Sequence, residues 1–133
     1  NDAHGHDIGD LLLIEVAKRL TDCVREMDTV VRFGGDEFVV MLRELDADKG
    51  ISTEQAISVA EKIRLRVAKP YQLSISLPGQ ADRTIEHHCT VCIGVVVFIN
   101  HEASQADILK WADAAMYLAK AFGRDNVKLY HSA

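Results

Sequence analysis

The segment Thr29-Val30-Val31-Arg32-Phe33-Gly34-Gly35-Asp36-Glu37-Phe38-Val39-Val40-Met41-Leu42 sets two adjacent glycines between two β-rich runs. Thr29 to Phe33 reads as one strand and Glu37 to Leu42 as another, with Gly34 and Gly35 making a tight hairpin natural between them. A glycine lets a backbone approach a phosphate closely, because no side chain stands in the way. Asp36 and Glu37 then put two carboxylates at the hairpin tip. Adjacent acids on a turn repel unless solvent, a cation or a divalent metal relieves them. Hard oxygen donors of this kind suit Mg²⁺, which takes one or two carboxylates together with substrate phosphates. On these residues alone two readings stand: a solvated hairpin, or a loop that holds phosphate and metal.

Outward from the hairpin, apolar periodicity predicts a helix from about Asp10 to Glu26, with Leu13, Val16, Ala17, Leu20 and Val24 on one face. Ser52 and Gln55 form a capping box for a second helix, whose inner face is Ala56, Val59, Ala60, Ile63 and Val67. Pro70 stops it. Strands are expected at Tyr71 to Leu77 and Thr84 to Phe98, around the turn Pro78-Gly79-Gln80. Ser104 and Asp107 cap a third helix with Ile108, Ala112, Ala115, Met116 and Ala119 inward, and Gly123 ends it. A last strand is expected near Val127 to Tyr130. The sum is an α/β (α+β) domain with hairpins and a mostly antiparallel central sheet flanked by helices.

Composition narrows the function classes. Of 133 residues, 48% are hydrophobic and 26% charged, which excludes disordered and fibrous chains. A formal net charge of -5 argues against a nucleic-acid partner or an anionic membrane, yet leaves room for a nucleotide bound by a few local cations. Cys23, Cys89 and Cys92 make an odd set without a disulfide framework, which points to a reducing, cytoplasmic setting. Cys89 and Cys92 spell C-x-x-C inside a strand-like run, where residues three apart face opposite ways, so they read as inert thiols. The six histidines lack a consistent metal-ligand spacing.

Gly34 to Phe38 matches, letter for letter, the signature of the GGDEF family of diguanylate cyclases, and other segments agree in order. Asn1-Asp2-Ala3-His4-Gly5-His6-Asp7-Ile8-Gly9-Asp10 resembles the family's N-D-x-x-G-H-x-x-G-D. Cys89-Thr90-Val91-Cys92-Ile93-Gly94 resembles its T-x-S-I-G strand. Ala112 to Lys120, followed by Gly123-Arg124, resembles A-D-x-A-M-Y-x-A-K-x-x-G-R. The resemblance implies a fold like the palm of nucleotidyl cyclases and polymerases. It further implies that two GTP molecules, one on each subunit of a homodimer, are joined into cyclic di-GMP with Mg²⁺ or Mn²⁺.

By the same resemblance Asp36 is a metal ligand and Glu37 its catalytic neighbour, while Gly34 and Gly35 offer backbone contacts to phosphate. Asn1 and Asp10 read the guanine. A helix N-cap is the other reading of Asp10, and the two can coexist. Lys120 and Arg124 hold the β- and γ-phosphates, where the residues alone read rather as two cations complementing a helix C-terminus. Arg25-Glu26-Met27-Asp28 fits the family's R-x-x-D inhibitory motif, with five residues between Asp28 and Gly34. It implies that Arg25 and Asp28, helped by Lys62, bind the product cyclic di-GMP; the alternative is a surface ion pair at a helix end.

The sequence departs from the family at several points. A family strand preceding Asn1, which brings a second metal-binding aspartate, is absent from the 133 residues, so the expectation is one GGDEF domain over residues 1–133 without its first strand. Cys92 stands for a usual serine, and Asp125 interrupts a usual G-R-N. Sensory domains, and a phosphodiesterase domain, are expected elsewhere in the parent protein. A non-catalytic GGDEF domain that receives cyclic di-GMP or GTP is the alternative function.

Overall fold

The computed structural model describes residues 2–76, 78–98 and 103–130. Helix α1 spans Asp2–Cys23, β1 Thr29–Gly34, β2 Glu37–Met41 and α2 Lys49–Val67. Strands β3 (Tyr71–Ile75), β4 (Arg83–His87) and β5 (Cys92–Val95) follow, then α3 (Gln105–Ala121) and β6 (Asn126–Leu129). Among the described residues no helix is long and apolar enough to cross a membrane.

The architecture is mixed α/β, as expected. Its strands pair in three ladders of two: β1 with β2 and β3 with β4 antiparallel, and β5 with β6 parallel. The parallel pair follows from α3, which carries the chain back along the same direction, a connection that a short turn cannot make. The run Thr84 to Phe98, expected as one strand, divides instead. Its first part pairs back on β3 and its second pairs with β6, with residues 88–91 as the joint. Leu77 lies outside the described residues. The last strand starts at Asn126, one residue earlier than expected.

Two helix starts also differ from expectation. α1 begins eight residues before Asp10, because Ile8, Leu11 and Leu12 pack on the core and extend the buried face. Asp10 is therefore a mid-helix residue, and the N-cap reading is overturned. α2 begins at Lys49 with Asp48 as its cap, whose carboxylate accepts from the Ile51 amide at 3.0 Å. Ser52 is instead buried inside the first turn, its hydroxyl donating back to the Lys49 carbonyl, and Gln55 accepts from the Asp46 amide at 2.9 Å. The expected Ser52 capping box is thus replaced by an aspartate cap one turn earlier. α3 starts as expected, with the Ser104 hydroxyl accepting from the Asp107 amide.

Val16, Leu20 and Cys23 of α1 meet Ile63 and Val67 of α2 and Tyr71 and Leu73 of β3 in one core cluster. Each large aliphatic side chain fully buried there contributes about 1.5–3 kcal/mol. Val30, Phe38 and Val40 pack on the same cluster and seat the hairpin against α1. Val31, Phe33 and Met41 remain exposed.

Candidate active site

The β1–β2 hairpin is regular from Thr29↔Met41 to Arg32↔Phe38, and then a bulge shifts Gly34 opposite Glu37. Gly34 therefore belongs to the strand, and the turn is Gly35-Asp36. Gly35 has φ +52°, in the left-handed region where a side chain is strained. A Cβ placed on Gly34 or Gly35 would meet nothing within 4 Å, so the backbone there is open to an incoming group. The Arg32 guanidinium braces the turn by donating from Nε to the Gly35 carbonyl at 2.8 Å.

Asp36 and Glu37 are exposed at this tip, and among the described residues neither side chain forms a hydrogen bond or an ion pair. Two unpartnered carboxylates with open backbone beside them fit part of a Mg²⁺ or Mn²⁺ shell, the remaining oxygens coming from phosphates and water. No group of three or more His, Cys, Asp or Glu able to hold a metal occurs among the described residues.

An open cavity of about 450 Å³ lies between α1 and the hairpin, lined by Asp10, Leu13, Ile14, Thr21, Arg32 and Phe38 among others. It brings Asp10 and the hairpin together as one candidate subsite, an apolar floor with a carboxylate and a guanidinium on its rim. Arg32 is a member of this subsite that the sequence motifs did not single out. Asn1 lies outside the described residues.

Lys120 and Arg124 are exposed at the C-terminal end of α3. Arg124 has φ +62°, and its turn is tied down by Asn126, whose Nδ2 donates to the Ala119 and Arg124 carbonyls at 2.9 and 2.8 Å. Asp125, the departure from G-R-N, pairs with Arg64 of α2 at 3.1 Å and so anchors the same turn. α3 packs on β5 and β6 and makes no contact with the hairpin among the described residues, so these two cations and the acidic tip stand on separate supports.

The R-x-x-D motif is closed by a set of hydrogen bonds. Asp28 Oδ2 accepts from the Arg25 amide at 2.9 Å and from Arg25 Nε at 3.2 Å. Asp28 Oδ1 accepts from Arg25 Nη2 at 3.2 Å and from the Arg43 amide at 3.0 Å. The same Arg25 nitrogen also donates to the Arg43 carbonyl. The Asp28 side chain is 2% exposed against 49% for Arg25, which corrects the reading as a surface ion pair. Burial pushes the Asp28 carboxyl up, but the hydrogen bonds from Arg25 and the Arg43 amide outweigh it and hold it below its ordinary value. Lys62 is exposed on α2 and makes no bond to Arg25 or Asp28 among the described residues.

Residues 1–126 match the family model described as diguanylate cyclase, GGDEF domain. The chain belongs to the GGDEF family. It is 37% identical over its whole length to the bifunctional diguanylate cyclase/cyclic di-GMP phosphodiesterase MucR of Pseudomonas aeruginosa, of which it spans 17%. It is 38% identical over 97% of its length to diguanylate cyclase A of Treponema denticola, of which it spans 31%. The crystal structure of the GGDEF domain of YfiN (or TpbB) from Pseudomonas aeruginosa superposes with a TM-score of 0.73 at 33% identity, covering 100% of this chain and 74% of that one.

Proposed function

We propose that this chain binds GTP and, within the intact protein, joins two GTP molecules into cyclic di-GMP. The observation that carries the reading is the hairpin tip of a GGDEF-family chain: Gly35 in the left-handed region beside the exposed, unpartnered Asp36 and Glu37. Each GTP sits on one chain of a homodimer. The 3′-hydroxyl oxygen of one bonds to the α-phosphorus of the other, the α–β phosphoanhydride bond breaks, and pyrophosphate leaves. The hydroxyl proton passes to a base at the tip, a role assigned to Glu37.

Asp36 and Glu37 would hold a Mg²⁺ or Mn²⁺ ion, which neutralises phosphate charge and sharpens the hydroxyl when bound. Gly34 and Gly35 contact phosphate through open backbone. Asp10 accepts from the guanine N1–H and amine at the cavity between α1 and the hairpin, Asn1 serves the guanine's acceptors, and Lys120 and Arg124 take the β- and γ-phosphates. Arg25 and Asp28, with Lys62, form the product-binding inhibitory site. Asp28 and the Arg43 carbonyl hold Nε and Nη2 of Arg25, which leaves Nη1 of the half-exposed guanidinium to meet the product. MucR, named as carrying both activities, supports a phosphodiesterase domain in the intact protein; a sensory domain and a cytoplasmic location complete the reading.

The test is incubation of the intact protein with GTP and Mg²⁺, followed by chromatographic separation of the products. Cyclic di-GMP that vanishes with Asp36→Asn is the expected result. A folded, dimeric protein that yields none overturns the cyclase reading in favour of a receptor.

A further inference from the structure

We infer that Asp28 is a positioning residue for the catalytic hairpin: it latches the hairpin base and holds the two walls of the candidate GTP pocket in register. The backbone ladder of the hairpin begins at Thr29↔Met41. Just beyond the end of that ladder, the Asp28 carboxylate accepts the Arg43 amide at 3.0 Å. The other oxygen of that carboxylate accepts the Arg25 amide at 2.9 Å, and the Asp28 amide donates to the Arg25 carbonyl at 3.0 Å. One side chain thus joins the turn that leaves α1, the first strand of the hairpin and the strand exit.

The placement matters because Val30, Phe38 and Val40 seat the middle of the hairpin on the core, while its base depends on local bonds. Among the described residues α1 is the one helix whose backbone runs close to the hairpin, and β2 pairs with β1 only. α1 brings Asp10 and Leu13 to the cavity, and the hairpin brings Arg32 and Phe38. Asp28 sits where these two walls meet in the chain. The carboxylate is almost fully buried and its lone pairs face four N–H donors, so its loss strands the Arg43 amide and part of the Arg25 guanidinium. Removing an ionised acceptor loses all four of these hydrogen bonds at once, and the local answer is opening of the hairpin base. A hairpin ordered only part of the time lowers apparent substrate affinity in proportion to the competent fraction.

The kinetic consequence rests on the cyclase reading; the latch itself does not. The experiment uses the intact protein and three variants, Asp28→Ala, Asp28→Asn and Glu26→Gln, the last being an exposed neighbour outside the latch. Amide hydrogen exchange is followed at Arg43 and across residues 29–41, with α2 and α3 as internal references. Asp28→Ala is expected to speed exchange at Arg43 and the hairpin about tenfold or more, with the references unchanged. It is also expected to raise KM for GTP by a similar factor, with a smaller effect on kcat. Asp28→Asn keeps one acceptor oxygen for the Arg43 amide and should recover most of both effects, while Glu26→Gln matches the parent. Unchanged exchange at Arg43 in Asp28→Ala overturns the latch, and so does equal loss of protection in α2 and α3. A parent protein that makes no cyclic di-GMP, yet shows hairpin-confined exchange in Asp28→Ala, overturns the cyclase reading and upholds the latch.

Discussion

Gly94 of β5 lies directly against Ala112 of α3: a Cβ at Gly94 would collide with the Ala112 carbonyl oxygen and the Met116 amide nitrogen. Both are backbone atoms of one helix, so neither can swing aside. This contact lets α3, which carries Lys120 and Arg124 at its far end, lie flush on the β5–β6 ladder. Gly94→Ala should therefore cost at least the usual penalty of overpacking, about 1–3 kcal/mol. A urea or thermal midpoint equal to that of the parent would show that the helix is free to shift away.

Asp36→Asn and Glu37→Gln should abolish cyclic di-GMP formation and leave the fold intact. Both side chains are exposed and make no bond to the described residues, so changes in stability should stay within about 0.5 kcal/mol. Product formation and the denaturation midpoint, measured on the same samples, separate a lost metal site from a lost fold. Turnover retained in Asp36→Asn removes that residue from the metal site.

Arg25→Ala should relieve inhibition by cyclic di-GMP. The guanidinium is half exposed and reaches Asp28 and the Arg43 carbonyl in fork geometry, the same geometry that suits a phosphate or a guanine edge. The inhibition constant for added cyclic di-GMP should rise about tenfold or more, as expected for loss of a charge-assisted hydrogen bond. An unchanged constant would remove Arg25 from the inhibitory site.

How far the sequence carried differs from one part of the site to another. The hairpin was legible because paired glycines and β-rich flanks are local signals, although the bulge that draws Gly34 into β1 is not one of them. Asp10 was legible as a candidate from the family motif, and its alternative reading as a helix cap fails. A polar residue before an apolar run imitates a cap, and only the packing of Ile8 on the core shows that the helix is already under way. Arg25 and Asp28 were legible as a motif, whereas the burial of Asp28 was not. Its decisive partner, Arg43, lies across the hairpin and carries no motif of its own. Arg32 entered the pocket unannounced for the same reason.

Acid should loosen the base of the hairpin. The Asp28 carboxyl is held below its ordinary value in the folded chain, so its contribution is fully present above the unfolded carboxylate pKa, about 3.9. That contribution declines as pH falls through the lower folded value, where the folded carboxyl takes up its proton. The protection of the Arg43 amide, taken relative to its intrinsic exchange rate, should fall across this interval in the parent and stay constant in Asp28→Asn, which has no carboxyl to titrate. The same pH dependence in both proteins would assign the acid sensitivity to another group.

Arg19→Lys should destabilise the chain although it conserves charge. Arg19 leaves α1 to cap the end of α2: Nη1 donates to the Arg66 and Lys69 carbonyls at 3.0 and 2.6 Å, and Nη2 to the Pro70 carbonyl at 2.7 Å. Its guanidinium also lies 3.5 Å from the centre of the buried Tyr71 ring. A planar fork can serve three carbonyls and stack on an aromatic face together, whereas an ammonium is a compact, strongly hydrated point charge. The Arg66 carbonyl keeps the Lys69 amide as a second partner at 3.3 Å, so the acceptors that a lysine leaves unmet are the Lys69 and Pro70 carbonyls just past the end of α2. The expected cost is about 1–3 kcal/mol in a denaturation experiment, with Arg19→Ala costing no less. A lysine variant as stable as the parent would mean that charge alone holds α1 to α2.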